Sequence, residues 1–128
     1  MRHASPIYLP DLPRPAGPYS PAVRAGDFVY VSGQVPRDPA TGVLAGDDVT
    51  AQARAVLANV RRVLEAAGAT TADVVSVIVY LVNVDDWGAF NEVYKEFFTE
   101  PYPSRTAVGC DLRGIKVEMS CVAYAPRR

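Results

Sequence analysis

The sequence predicts an α+β domain in which two helices pack on one face of a sheet. Three observations carry this reading. Strand-like and helix-like segments run in the order strands, helix, strand, helix, strands. Two segments repeat apolar residues at helical spacing. The strand-like segments are apolar on both sides, as strands covered on both faces are. The 128 residues fit one domain, so positions 1–128 are read as a single unit.

The elements follow in order. Residues 1–27 carry Pro6, Pro10, Pro13, Pro15, Pro18 and Pro21, and read as extended chain with turns. Phe28–Val35 is a strand, opened by the Ala25-Gly26-Asp27 turn and stopped by Pro36. Asp38–Gly42 is a second turn. From about Asp48 to Ala67, residues such as Val49, Ala53, Val56, Val60, Val63 and Leu64 recur at helical spacing. Gly68 then stands where a C-terminal glycine cap belongs. Val74–Val84 is a β-branched run and a strand. Trp87, Phe90, Val93, Tyr94, Phe97 and Phe98 mark a second amphipathic helix that ends before Pro101. Strands over Thr106–Cys110 and Ile115–Tyr124 complete the set.

Two helices can cover only one sheet face. Val74–Leu81 and Phe28–Val31 are apolar on both faces, so another subunit is the expected cover for the second. Composition narrows the partners. Thirteen Lys and Arg against fourteen Asp and Glu leave a net charge of −1, with no basic excess to hold a phosphate backbone, so nucleic acid is not expected. No uncharged apolar stretch approaches the roughly 20 residues that span a bilayer, and the N-terminus lacks the apolar core of a signal peptide. A soluble, cytoplasmic protein without membrane contact is expected. Cys110 and Cys121 form neither a disulfide framework nor a metal-ligand spacing, and the single histidine, His3, sits near the terminus. Neither a metal nor an organic cofactor is expected, and both cysteines read as packing residues.

The last strand alternates Ile115, Val117, Met119, Cys121 and Ala123 with Lys116, Glu118, Ser120, Val122 and Tyr124. The first set suits packing beneath the helices, which leaves Glu118 on the face that a neighbouring subunit would cover. A carboxylate there needs a hydrogen-bonding or cationic partner, or its pKa rises. Arg105 follows Pro101-Tyr102-Pro103-Ser104, a stiff lead-in, and guanidinium is the side chain best shaped to grip a carboxylate through two parallel bonds. The residues alone leave two readings open: an interface ion pair, or a site.

A series of motifs adds to this. Gly17-Pro18-Tyr19-Ser20-Pro21-Ala22, Val31-Ser32-Gly33-Gln34-Val35-Pro36, Gln52 with Asn59, and Ala66-Ala67-Gly68 come first. Asp73-Val74-Val75, Asn91-Glu92-Val93-Tyr94 with Phe97-Phe98, Pro103-Ser104-Arg105 and Val117-Glu118 follow. From about residue 15 to residue 124 the chain resembles the Rid (YjgF-like) imine/enamine deaminases. The resemblance implies a chorismate-mutase-like mixed sheet and a homotrimer with sites in the clefts between subunits. It implies hydrolysis of 2-imino acids such as 2-iminobutanoate or 2-iminopropanoate to 2-oxo acids and ammonia, without a cofactor. By the same resemblance Arg105 grips the substrate carboxylate and Glu118 positions the attacking water. Tyr19, Ser32 and Gly33 line the substrate pocket, and Asn91 supports it.

Two positions depart from the family pattern. Ala107 stands where many of these deaminases have Cys. Leu112-Arg113 replaces the usual Leu-Pro in a 109–114 segment about two residues shorter, which puts substrate range and rate in question. The rival reading is a trimeric module that binds small carboxylates or keto acids, which would keep Arg105 without needing Glu118. An endoribonuclease is disfavoured by the acidic balance, and a chorismate mutase rests on fold analogy alone.

Overall fold

A computed structural model describes residues 4–127, so His3 lies outside the described residues. Six strands form one sheet: β1 (Ala4–Ile7), β2 (Ala22–Ala25), β3 (Phe28–Gln34), β4 (Val74–Leu81), β5 (Ser104–Gly109) and β6 (Val117–Tyr124). Their spatial order is β1-β2-β3-β6-β4-β5. Every pairing is antiparallel except β4 with β5. Helices α1 (Val49–Ala66) and α2 (Trp87–Phe97) complete the mixed α+β architecture, and short 3-10 turns lead into β4 and α2.

The N-terminal segment needs correction, because it contributes two strands where the prolines suggest only extended chain and turns. β1 tolerates Pro6 because it is an edge strand, where one face of the backbone has no partner to satisfy. Three other boundaries move. β4 ends at Leu81 rather than Val84, β5 opens at Ser104, and β6 starts at Val117 rather than Ile115.

Local chemistry sets the helix limits. Asp48 caps α1, its Oδ1 accepting the Ala51 N–H at 2.7 Å. At the other end Gly68 takes φ of 79°, while the N–H groups of Gly68 and Ala69 donate to the carbonyls of Glu65 and Leu64. This is a Schellman close, and it needs a residue free to adopt the left-handed region. Two polar residues on the buried side of α1 act as straps. The Gln52 amide donates to the Gly46 carbonyl and accepts from the Lys116 N–H, both at 2.8 Å. Asn59 donates to the carbonyls of Val35 and Arg37. Each thus ties the helix to a loop, and each is satisfied despite burial.

Both helices lie on one face of the sheet, as the sequence predicts. Along β6 the residues Val117, Met119, Cys121 and Ala123 are buried while their neighbours are not. They pack with Val77, Val79 and Leu81 of β4 against Leu57, Val60 and Leu64 of α1 and Phe90 of α2. The opposite face has no layer from the described residues. Phe28, Tyr30, Ile78 and Tyr124 stand there at 40%, 50%, 36% and 47% exposure. The Phe28 and Tyr124 rings meet at 5.2 Å between centroids.

Candidate active site

Arg105 owes its position to the register of β5. Ser104 anchors the strand's start, its hydroxyl donating to the Val75 carbonyl at 3.0 Å. Arg105 then pairs with the buried Val77, so its side chain leaves the sheet on the helix side. There its Nη1 donates to Asn91 Oδ1 at 2.9 Å, and its guanidinium carbon sits 4.9 Å from the centroid of the Tyr94 ring and 6.0 Å from that of Trp87. Both rings attract a cation through their negative faces. Tyr94 is itself stacked on Phe98 at 4.6 Å, which fixes the platform. Burial pushes the Tyr94 hydroxyl up to about 12, against a smaller pull from Arg105, so it stays a neutral phenol. A cavity of about 450 Å³ opens beside Arg105, walled by Asn91, Tyr94, Lys95, Tyr102 and Pro103.

Glu118 is half-buried on β6 and lies opposite Tyr80 of β4, on the face without helices. Desolvation raises its carboxyl above the ordinary carboxylate range. Its side chain runs alongside Gly33. At that point the β3–β6 register shifts between Val31 and Gln34, so Ser32 and Gly33 form an irregularity in β3. Ser32 is held from the other side, its hydroxyl donating to the Ser20 carbonyl at 2.6 Å and its N–H to the Pro21 carbonyl at 2.9 Å. These two bonds carry the 17–21 loop, and with it the largely exposed Tyr19, to the end of β3.

The residues therefore fall into two groups. Arg105 and Asn91 come together directly. Ser32, Gly33 and Glu118 gather at the end of β3 with Tyr19 on the adjoining loop. Within one chain the groups do not meet. Two strand spacings separate β5 from β6, and three residues of register separate Arg105 from Glu118. Their backbones thus lie about 14 Å apart, from about 10 Å across and about 10 Å along the strands. They also project from opposite faces. Among the described residues the salt bridges are Arg54–Glu96 and Glu92–Lys95, so Arg105 and Glu118 do not pair within one chain.

Ala107 pairs with Val79, on the same side of β5 as Arg105, and is exposed there. The departure from the family pattern therefore stands next to the guanidinium. Trp87 and Tyr94 adjoin the guanidinium, although the sequence marks Trp87 only as part of the second helix and Tyr94 as part of that helix and of the Asn91–Tyr94 motif. Their spacing with Asn91, four and three residues apart, was the available signal, because it aligns all three on one side of α2.

Comparison with known proteins places the chain in a family. Residues 10–125 match the family described as endoribonuclease L-PSP. A RutC family protein of Pyrococcus horikoshii is 42% identical over 120 residues, covering 92% of this chain and 95% of the relative. A 2-iminobutanoate/2-iminopropanoate deaminase of Dermatophagoides farinae is 41% identical over 103 residues, 80% of each chain. Among solved structures, RidA of a Psychrobacter species superimposes with a TM-score of 0.86 at 38% identity, over 94% of this chain and 98% of that one. Escherichia coli TdcF, solved with bound serine, gives a TM-score of 0.82 at 34% identity over the same shares. With the family model matching residues 10–125, and its fold and most of its length in common with these proteins, the chain belongs to the endoribonuclease L-PSP (YjgF/RidA) family.

Proposed function

We propose that the chain is a cofactor-independent deaminase that hydrolyses 2-imino acids, such as 2-iminobutanoate or 2-iminopropanoate, to 2-oxo acids and ammonia. In this reading it works as a homotrimer whose sites lie between subunits. One observation carries the proposal. Arg105 and Glu118 stand on opposite faces of one sheet, each without an ionic partner among the described residues. Such halves complement each other only when the open face of one copy meets the Arg105 edge of another. The exposed aromatic residues of that open face support the same contact. The relatives named as deaminases support the chemistry.

The reaction asks little of the protein. Arg105, oriented by Asn91 and Tyr94, grips the substrate carboxylate, and holding C2 near a bound water supplies much of the acceleration. Glu118 accepts a proton as that water adds to C2 of the imine. Glu118 returns that proton to the carbinolamine nitrogen and then takes the hydroxyl proton as the C–N bond breaks, so ammonia leaves and the 2-oxo acid remains. A carboxyl whose pKa is raised toward neutrality suits this exchange better than an ordinary one. No step requires a metal or an organic group. Among the described residues no cluster of three or more His, Cys, Asp or Glu could hold a metal.

The test is ammonia release from freshly generated 2-iminopropanoate and 2-iminobutanoate, set against the spontaneous rate. Release well above that rate is expected. Tight carboxylate binding with no acceleration would favour the binding-module reading instead.

A further inference from the structure

We infer that Gly33 is a positioning residue for Glu118: the missing side chain at 33 is the seat over which the Glu118 carboxylate folds. The inference rests on the deaminase reading for its catalytic consequence and on geometry for its substance. A Cβ built on Gly33 would stand 3.1 Å from Glu118 Cδ and 3.4 Å from Cγ, and Oε2 would be closer still. Real Cβ atoms essentially never approach an oxygen so closely, so a side chain at 33 displaces the flexible end of Glu118, and the carboxylate leaves this seat.

The usual reason for a glycine does not apply at this position. Gly26, Gly42, Gly46, Gly68 and Gly114 occupy the left-handed region, and Gly33 does not. Its backbone is open to other residues, so glycine is required here for space. The neighbourhood keeps that space in one position. The β3–β6 register shift brings residue 33 against Glu118, and the two Ser32 bonds to the 17–21 loop pin the backbone beside it. Glu118 in turn cannot retreat along its strand, because Val117 and Met119 on either side are fully buried in the core. With that backbone pinned and the strand fixed, the space over Gly33 is where the Glu118 carboxylate lies. That is the preorganisation a water-positioning group needs.

The experiment is a double-mutant cycle between positions 33 and 118 in the full chain, read in both rate and stability. Gly33→Ala is expected to lower kcat about 10²-fold, the low end of what a positioned acid–base group contributes. KM is expected to stay within about threefold, because the Arg105 half is untouched. Gly33→Ala added to Glu118→Gln should slow the reaction far less than it slows the wild type. Stability supplies the second reading. Glu118→Asp withdraws the carboxylate by one methylene, so Gly33→Ala should lower Tm clearly beside Glu118 and much less beside Asp. That pair also keeps the test open if Gly33→Ala alone folds poorly. Full activity in Gly33→Ala, or losses of rate and Tm that are the same whatever stands at 118, would overturn the inference. A wild type that releases no ammonia above background would overturn the deaminase reading instead, and the Tm coupling would still decide whether Gly33 seats Glu118.

Discussion

The two faces of the sheet use the same strands in opposite ways. On the helix side every inward position of β6 and of β4 from Val77 onward is apolar and buried. On the other side the alternate positions of the same strands carry Ile78, Tyr80, Ser120, Tyr124 and Glu118, beside Tyr30 of β3, none of them buried. The first face is finished by the chain itself and its residues can be assigned to stability. The second mixes large apolar groups with a desolvated carboxylate, a combination that makes physical sense only beneath a cover. The division teaches where to look for function: Arg105 lies at the margin of the finished face and Glu118 in the unfinished one.

The largest expected effect separates catalysis from structure. Arg105→Ala should lose nearly all ammonia release and Arg105→Lys most of it, since lysine keeps the charge but not the planar two-pronged grip. Arg105 is exposed, with one hydrogen bond and two ring contacts among the described residues, so the alanine variant should lose no more than about 3 kcal/mol of stability. A destabilised monomer would assign Arg105 to the architecture. Next, Glu118→Gln should slow turnover by about 10²–10⁴-fold while carboxylate binding survives. Mixing Arg105→Ala and Glu118→Gln subunits through reversible dissociation should then restore activity in about a quarter of the sites, by random pairing across the interface. No recovery in demonstrably mixed trimers would break the between-subunit reading.

A third pair addresses the faces directly. Leu81→Ala, on the finished face, should cost about 2–5 kcal/mol. Ile78→Glu, three residues away on the open face, should barely alter secondary structure but lower the oligomer mass seen in sedimentation. The smallest effect is a pH dependence. The folded state raises the Glu118 pKa above its ordinary 4.5, so folding favours the protonated form. Stability from this group is therefore greatest at acid pH and falls as pH rises from about 4.5 through the folded value. Glu118→Gln should flatten that part of the Tm–pH curve and raise Tm slightly at pH 7.

Much of this was legible from sequence where a simple period governs. The alternation of β6 correctly assigned each of its residues to a face, and the α1 stripe with Gly68 marked that helix and its end. Regular spacing failed where local rules yield to long-range pairing. β1 was hidden by Pro6, which its edge position tolerates, and the short β2 by the run of prolines before it. Gln52 and Asn59 interrupt the α1 stripe by polarity yet are buried, because each meets backbone groups from loops far off in the chain. That Arg105 and Glu118 leave opposite faces could not be read at all. It depends on the parallel register of β5 with β4, which no local pattern encodes.

Arg24 has a consequence for anyone handling the protein. Its buried guanidinium donates to the Ala125 carbonyl at 2.8 Å, to Ala67 at the end of α1 at 2.9 Å and to Gly26 at 3.3 Å. The Ala125 N–H also donates to Asp27. Residues up to Ala125 are thus part of the folded fabric, and trimming even that alanine would strand a buried cation without an acceptor it depends on. Pro126 and Arg127, exposed just beyond, lie outside the clamp and can be replaced without disturbing it.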